Sequence, residues 1–282
     1  MLSLQRLRAI AHSSMTTMFK GLRNAREDRL TEVRGPDGLP FRFVDEAGMA
    51  PFIEAVLSGR DYPLLFAKTY RATQIVDVGA HMGAATRYFA NSFPEAKVLS
   101  FEPNPKSFSL LEFNTAKLSN VELVQAGLGD RSGTAQLHMG MHSSMQASML
   151  ANQENTEDSV TIQVLDARME LANRGIEEIS ILKIDTEGLE LPILKALEEV
   201  LPRTDFLYLE YHSEEDRLAI DAMLQDTFVL FFSSALEIDR GNVGYVRSAV
   251  LDGLRAVGEE PRYCFPKRVG GSEISPGDGR AG

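Results

Sequence analysis

Residues Ile75 to Ala84 read IVDVGAHMGA: an apolar, β-branched run carrying an acid at Asp77, followed by two glycines four residues apart, Gly79 and Gly83. A strand that turns through glycine into a helix, at the carboxyl edge of a parallel sheet, is where such folds hold ligands. A dinucleotide loop has the spacing G-x-G-x-x-G and aims a helix N-terminus at a pyrophosphate. Here the spacing is G-x-x-x-G with an acid before it, which suits a ligand with a positive charge and no phosphate. The next apolar run ends at Glu102, 25 residues after Asp77. A carboxylate there can accept both hydroxyls of a ribose. Pro103 and Pro105 fix the backbone beyond it, and Pro105 suits the first turn of a helix. In this order and at this separation the two elements indicate S-adenosylmethionine: carboxylates for the ribose and amino group, glycines where the methionine part nears the backbone.

A sulfonium methyl is already electrophilic, so an enzyme using it must align an acceptor and, for an alcohol, remove a proton. Polar groups at strand ends are the candidates, and two clusters qualify. In Lys183-Ile184-Asp185-Thr186-Glu187-Gly188-Leu189-Glu190, strand alternation puts Lys183 and Asp185 on one side. Lys183 could neutralise Asp185 or hold the cofactor's carboxylate, while Glu187 and Glu190 also suit the N-terminus of a following helix. In Glu210-Tyr211-His212, His212 has the ordinary pKa of a base working near neutrality, with Glu210 orienting it or binding substrate. His142 lies in a polar loop between sheet strands and reads as an ordinary loop residue or part of an acceptor lid. Met139, Met141, Met145 and Met149 beside it could line an apolar pocket. The carboxylates at Asp185, Glu187 and Glu210 are of a kind Mg²⁺ accepts. No compact motif fixes one, so no metal ligand is assigned and Mg²⁺ is not expected.

The segments DVGAHMG (Asp77 to Gly83), FEPNP (Phe101 to Pro105), LKIDTEGLE (Leu182 to Glu190) and YLEY (Tyr208 to Tyr211), in this order, resemble the FkbM family of S-adenosylmethionine-dependent methyltransferases. The likeness covers about residues 70–212, and LKIDTEGLE is its most distinguishing part. The family often has Val where Thr186 stands, and it varies at His81. The resemblance implies a class I methyltransferase fold, a Rossmann-like α/β sheet of seven mostly parallel strands with the last antiparallel, and methyl transfer mainly to oxygen. It also implies that Asp77, Gly79 and Gly83 contact the methionine portion and Glu102 the ribose. Ala80, His81, Pro103 and Asn104 fall in the same cofactor-binding set. Gln125 and Ala126, at the start of the stretch to Asp130, would lie near the adenine, although Asp130 is equally explained by the turn to Gly133. Asp185 and Glu187 become active-site residues, with Asp185 also beside the cofactor.

The whole chain must support that site. Its 282 residues allow one large domain or two small ones, and 44% hydrophobic with 24% charged residues is ordinary for a globular domain. A formal charge of −11 argues against a nucleic-acid partner. Residues 1–34 run the other way, with seven basic and three acidic side chains. One cysteine, Cys264, excludes an internal disulfide and fits a reducing, cytoplasmic setting. No apolar run approaches the roughly 18 residues of a membrane span, and Gln5, Arg6, Arg8 and His12 interrupt any export signal.

The elements that position the site are short apolar runs at Gln74–Val78, Lys97–Phe101, Val121–Gln125, Ile179–Ile184 and Asp205–Leu209, with later runs at Phe228–Phe232 and Tyr245–Val250. Helical stretches fall at Ala84–Ser92, Pro105–Leu118, Glu190–Val200 and Glu214–Gln225. Alternation of the two predicts a mostly parallel sheet covered on both faces. Residues 130–176 read as an insertion with strands near Thr134–His138 and Ser159–Val164. Ahead of the sheet come amphipathic helices within residues 1–30, a hairpin over residues 32–44, and short helices over residues 51–70 broken at Gly59 and Pro63. The expected division is therefore an N-terminal helical and hairpin extension (1–69), a methyltransferase domain (70–268) and a glycine-rich, disordered tail (269–282). A homodimer through the N-terminal helices is one reading of that extension. Two other functions fit the sheet: a nicotinamide-dependent oxidoreductase, disfavoured by the glycine spacing, and a scaffold that binds the cofactor without catalysis. Transfer to nitrogen is disfavoured because the Pro-Pro-Tyr sequence common after the fourth strand of such enzymes is missing.

Overall fold

The computed structural model describes residues 29–45, 48–66, 70–138, 159–259 and 262–264. Of the helices expected within residues 1–30 all but Arg29 and Leu30, which are strand, lie outside the described residues, as do the methionine-rich stretch with His142 and the glycine-rich tail.

In chain order, β1 (Arg29–Arg34) and β2 (Pro40–Asp45) form an antiparallel hairpin, followed by α1 (Ala50–Leu57) and β3 (Leu64–Phe66). The alternating units are β4 (Gln74–Val78), α2 (Ala84–Ser92), β5 (Lys97–Phe101), α3 (Pro105–Thr115) and β6 (Val121–Val124). A three-stranded sheet follows, of β7 (Gly127–Gly129), β8 (Gly133–His138) and β9 (Ser159–Asp166) in the order β7-β9-β8, then α4 (Ala167–Asn173). The chain continues through β10 (Ile179–Ile184), α5 (Glu190–Ala196), β11 (Thr204–Tyr211), α6 (Glu214–Leu224), β12 (Phe228–Glu237), β13 (Arg240–Arg247), α7 (Ser248–Ala256) and β14 (Arg262–Cys264).

Seven strands make the central sheet in the order β12-β13-β11-β10-β4-β5-β6. β13 pairs antiparallel with both neighbours, and the pairs among β11, β10, β4, β5 and β6 are parallel. This is the class I methyltransferase arrangement, with the last strand of the sheet reversed. β10 sits at the centre and is buried at all six positions, as a run without polar alternation requires when both faces are covered. On one face Val76, Leu99, Leu182 and Leu207 pack against α4, α5 and α6 through Leu171, Ile193 and Ile220. On the other, Ile75, Ile181 and Phe206 pack against Phe89 of α2, Leu251 of α7 and the segment Tyr62–Leu65.

Two sequence expectations change. After Pro63, residues 64–66 form a strand, not a helix, because they pair antiparallel with Arg262–Cys264 from the other end of the chain. Near the C-terminus the strand is Arg240–Arg247, and residues 248–250 open a helix that buries Leu251 and Leu254, three apart on one helical face.

The hairpin is built into the main body. Phe41 and Phe43 are buried with Ile53 and Leu57 of α1 and Met82 of the glycine loop. Arg87 of α2, 2% exposed, donates to both oxygens of Asp37 and to the carbonyls of Leu39 and Pro40 at the hairpin turn. Asn114 of α3 accepts from Arg42 N and donates to the carbonyls of Arg42 and Met82, each at 2.7 Å. One buried amide thus joins the hairpin to the loop after β4.

Candidate active site

The carboxyl ends of β4, β5, β10 and β11 meet at one edge of the sheet. Gly79 leaves β4 with φ +78°, and a Cβ there would collide with the Asp185 carbonyl of the neighbouring strand end. Its N–H and that of Ala80 both donate to Phe101 O, at 3.0 and 2.9 Å. Gly83 caps α2 with φ +89°, and a Cβ there would lie 2.7 Å from Leu111 Cδ1. Only glycine fits either position without moving the backbone or the packed Leu111.

Between them His81 holds φ 51°, a conformation side chains rarely adopt. Its N–H donates to Glu102 Oε2 at 2.7 Å, while Asn104 N donates to Oε1 at 2.8 Å. Each oxygen keeps acceptor capacity for a further hydroxyl. Burial pushes the Glu102 carboxyl up to about 7, against the pull of these two N–H groups. Burial drives the His81 imidazole down to about 4, so it is neutral at physiological pH. Pro103 packs 3.7 Å from where a Gly127 Cβ would stand, bringing the loops after β5 and β6 together. In that second loop Ala126 is buried and Gln125 exposed.

Asp77 is fully buried beneath the loop. Its Oδ2 accepts from Thr86 Oγ1 at 2.6 Å, and its Oδ1 lies 3.2 Å from Lys183 Nζ. Lys183, 3% exposed, donates to Gly79 O at 2.6 Å and lies 3.5 Å from Asp185 Oδ2. Register explains the cluster: Asp77 pairs with Lys183 across β4 and β10, so both point to the same face. Burial opposes the charge on Lys183, but Asp77 and Asp185 outweigh it and raise its pKa. Of the two roles considered for Lys183, its contacts match neutralisation of the acids and support of the loop from below.

Above this layer Ile184 pairs with Leu209, which sets Asp185 beside Glu210. Burial raises both carboxyls. Lys183 nevertheless holds Asp185 below its ordinary value, whereas burial and the Asp185 charge push Glu210 up to about 8. Adjacent carboxylates split in this way are suited to different proton duties. His212 Nε2 lies 3.0 Å from Glu187 Oε2 and 3.6 Å from Glu210 Oε1, and its Nδ1 lies 3.5 Å from Glu190 Oε1. Burial opposes its protonation, but Glu187 and Glu190 carry it up to about 10. Glu190 also accepts from Thr186 N at 2.8 Å and from Gly188 N, closing the turn in which Glu187 holds φ 59°.

The residues singled out from sequence therefore come together along this edge. Asp77, Gly79, Ala80, His81, Gly83, Glu102, Pro103, Asn104 and Asp185 follow one loop network, with Gln125 and Ala126 one strand further out. Glu187, Glu210 and His212 form the acidic side. Among the described residues, no three His, Cys, Asp or Glu side chains converge as a metal would require. Sequence reading missed Arg240, which donates from Nη2 to Glu187 Oε1 at 2.9 Å and from Nε to Glu210 Oε1. It comes from a strand 30 residues beyond Glu210, and no local spacing signals it.

The residues fit S-adenosylmethionine: an acid with spare acceptor capacity at the ribose position, a loop held at the sheet edge by two required glycines, and carboxylates for a cation. The family model described as Methyltransferase FkbM domain matches residues 77–238. Methyltransferase sdnD of Sordaria araneosa is 29% identical over 156 residues, covering 44% of this chain and 60% of that protein. 2-O-methyltransferase NoeI of Sinorhizobium fredii is 24% identical over 155 residues, covering 50% and 64%. 31-O-demethyl-FK506 methyltransferase FkbM of Streptomyces tacrolimicus is 26% identical over 222 residues, covering 68% and 85%. The chain spans about three fifths of the length of the first two. With the family model covering more than half its residues, across every motif of this edge, the chain belongs to the FkbM methyltransferase family.

Proposed function

We propose that the chain is an S-adenosylmethionine-dependent O-methyltransferase acting on a hydroxyl of a small molecule, a natural product or a sugar. The observation that carries the cofactor reading is Glu102, buried at the end of β5 with one backbone N–H on each oxygen and capacity left for two ribose hydroxyls. Relatives named as a 2-O-methyltransferase and a hexuronic acid methyltransferase support oxygen as acceptor and a sugar as one acceptor class.

Bound along this edge, S-adenosylmethionine supplies an electrophilic methyl to an acceptor oxygen. Gly79 and Gly83 let the loop that would face its methionine portion close against the Asp185 carbonyl and Leu111, and Glu102 orients its ribose. Lys183 stiffens the loop and keeps Asp185 ionised facing the cation. Glu210, at about 8, takes the acceptor's proton: near neutrality a useful fraction is ionised, and its affinity for a proton is high. His212, held as an imidazolium by Glu187 and Glu190, serves better as a fixed positive charge than as the base expected from its type. A positioned base of this kind typically contributes about 10²–10⁴-fold. The methyltransferase domain is assigned to residues 70–268, with 1–69 as an extension and 269–282 as a tail. No described helix is long and apolar enough to cross a membrane, and the lone cysteine supports a reducing cytoplasm.

Calorimetric titration with S-adenosylmethionine and S-adenosylhomocysteine tests the reading. Both bind the intact chain, and Glu102→Ala weakens binding by at least about tenfold, the loss of one charge-assisted hydrogen bond. No binding, or undiminished binding by Glu102→Ala, overturns it.

A further inference from the structure

We propose that Arg240 is a positioning residue for proton removal: from the tip of the terminal hairpin it fixes the Glu210 carboxylate beside Asp185 and, through Glu187, pins the loop after β10. The inference rests on Glu210 being the proton acceptor. Arg240 opens β13 directly after the two-residue turn Ile238-Asp239, so the hairpin itself delivers its guanidinium over the sheet edge. It lies two residues past the segment matched by the family model. A guanidinium carries its donors in a rigid fork, so Nε and Nη2 can hold two carboxylates at fixed separation. An ammonium cannot.

The groups facing Glu210 come from every neighbouring element. Asp185 and, behind it, Lys183 come from β10 and its end, Glu187 from the following loop, His212 from the end of β11, and Arg240 from β13. Tyr62, from the segment before β3, is within electrostatic reach, and burial keeps its phenol neutral. The charges that act on Glu210 besides Arg240 are chiefly the Asp185 carboxylate, which raises its proton affinity, and the His212 imidazolium, shared with Glu187 and Glu190, which lowers it. Removing Arg240 takes away the cation bonded directly to it. A hairpin tie carried by the Glu187 bond alone would hold the turn down yet leave the protonation of Glu210 nearly unchanged.

The test is a carbon-13 titration of the full chain, labelled at glutamate carboxyls and saturated with S-adenosylhomocysteine, with Glu210 assigned from its absence in Glu210→Gln. Wild-type Glu210 titrates well above an ordinary glutamate. In Arg240→Gln its midpoint rises by about one unit, the scale of losing one adjacent opposite charge. Arg240→Lys gives a smaller rise, because the positive charge is kept while the fork of donors is lost. An ordinary midpoint in the wild type, or an unchanged midpoint in whichever variant folds, overturns the proposal. Calorimetry on the same proteins separates the two readings: absent S-adenosylhomocysteine binding by the wild type sinks the cofactor assignment, whatever Glu210 does.

Discussion

Glu102 shows at one residue how burial couples ligand binding to pH. Its folded pKa of about 7 lies above the ordinary 4.5. The protonated form therefore contributes stability that is fully present below about pH 4.5 and is lost as pH rises through 7. The ionised form is the better acceptor for two ribose hydroxyls. Affinity for S-adenosylhomocysteine is accordingly expected to rise several-fold between pH 6 and pH 8, and calorimetry across that range checks it. In Glu102→Gln the rise should disappear, because the amide does not titrate there. The type and place of this acid were legible from the sequence, since FEPNP follows an apolar run at the right distance from DVGAHMG. Its raised proton affinity was not, because desolvation depends on the loops folded around it and outweighs the Asn104 and His81 N–H groups. His212 makes the same point in reverse. Its residue type suggested a base near neutrality, while three carboxylates from two segments make it a lasting cation.

At the scale of elements, the strands at residues 74–78, 97–101 and 179–184 were readable because they are continuous, β-branched and buried on both faces. Misreadings fall where a distant partner decides the conformation. Leu64–Phe66 is a strand because Arg262–Cys264 runs beside it, and no local periodicity encodes that pairing. The hairpin Arg29–Asp45 was recognised from its turn, but not its attachment. Arg87 reads as an ordinary charged residue within a helix, yet it is buried against Asp37 and two turn carbonyls. Burial opposes ionisation of Asp37, but the Arg87 bond and the Leu39 N–H win and hold its carboxyl below the usual value. Asp37→Ala leaves Arg87 buried without its counter-ion and is expected to cost about 3 kcal/mol, toward the low end for breaking a buried pair. Urea unfolding measures it. A loss below about 1 kcal/mol would mean that the turn carbonyls alone suffice.

For the whole molecule, part of the formal charge of −11 takes on a location: Asp77, Glu102, Asp185, Glu187, Glu190 and Glu210 line one sheet edge, with Lys183, Arg240 and His212 set among them. The division at residue 69 follows a real change of sequence pattern, but the packing crosses it. Phe41, Phe43, Ile53 and Leu57 cover Met82 of the glycine loop. Further along, Tyr62 packs its ring 5.6 Å from Tyr208, and Pro63 O accepts from the Tyr208 hydroxyl at 2.7 Å. A chain starting at residue 70 would expose those apolar surfaces, strand Arg87 and release the Met82 carbonyl from its tie through Asn114 to the hairpin. It is expected to lose cooperative thermal unfolding and S-adenosylhomocysteine binding together. A chain starting at residue 29 retains every one of these contacts and should melt and bind as the full chain does. Sedimentation of that shorter form also tests the homodimer expected of the N-terminal helices: a mass in solution equal to that of the full chain, per polypeptide, would assign any self-association to the body and leave the basic N-terminal segment no part in it.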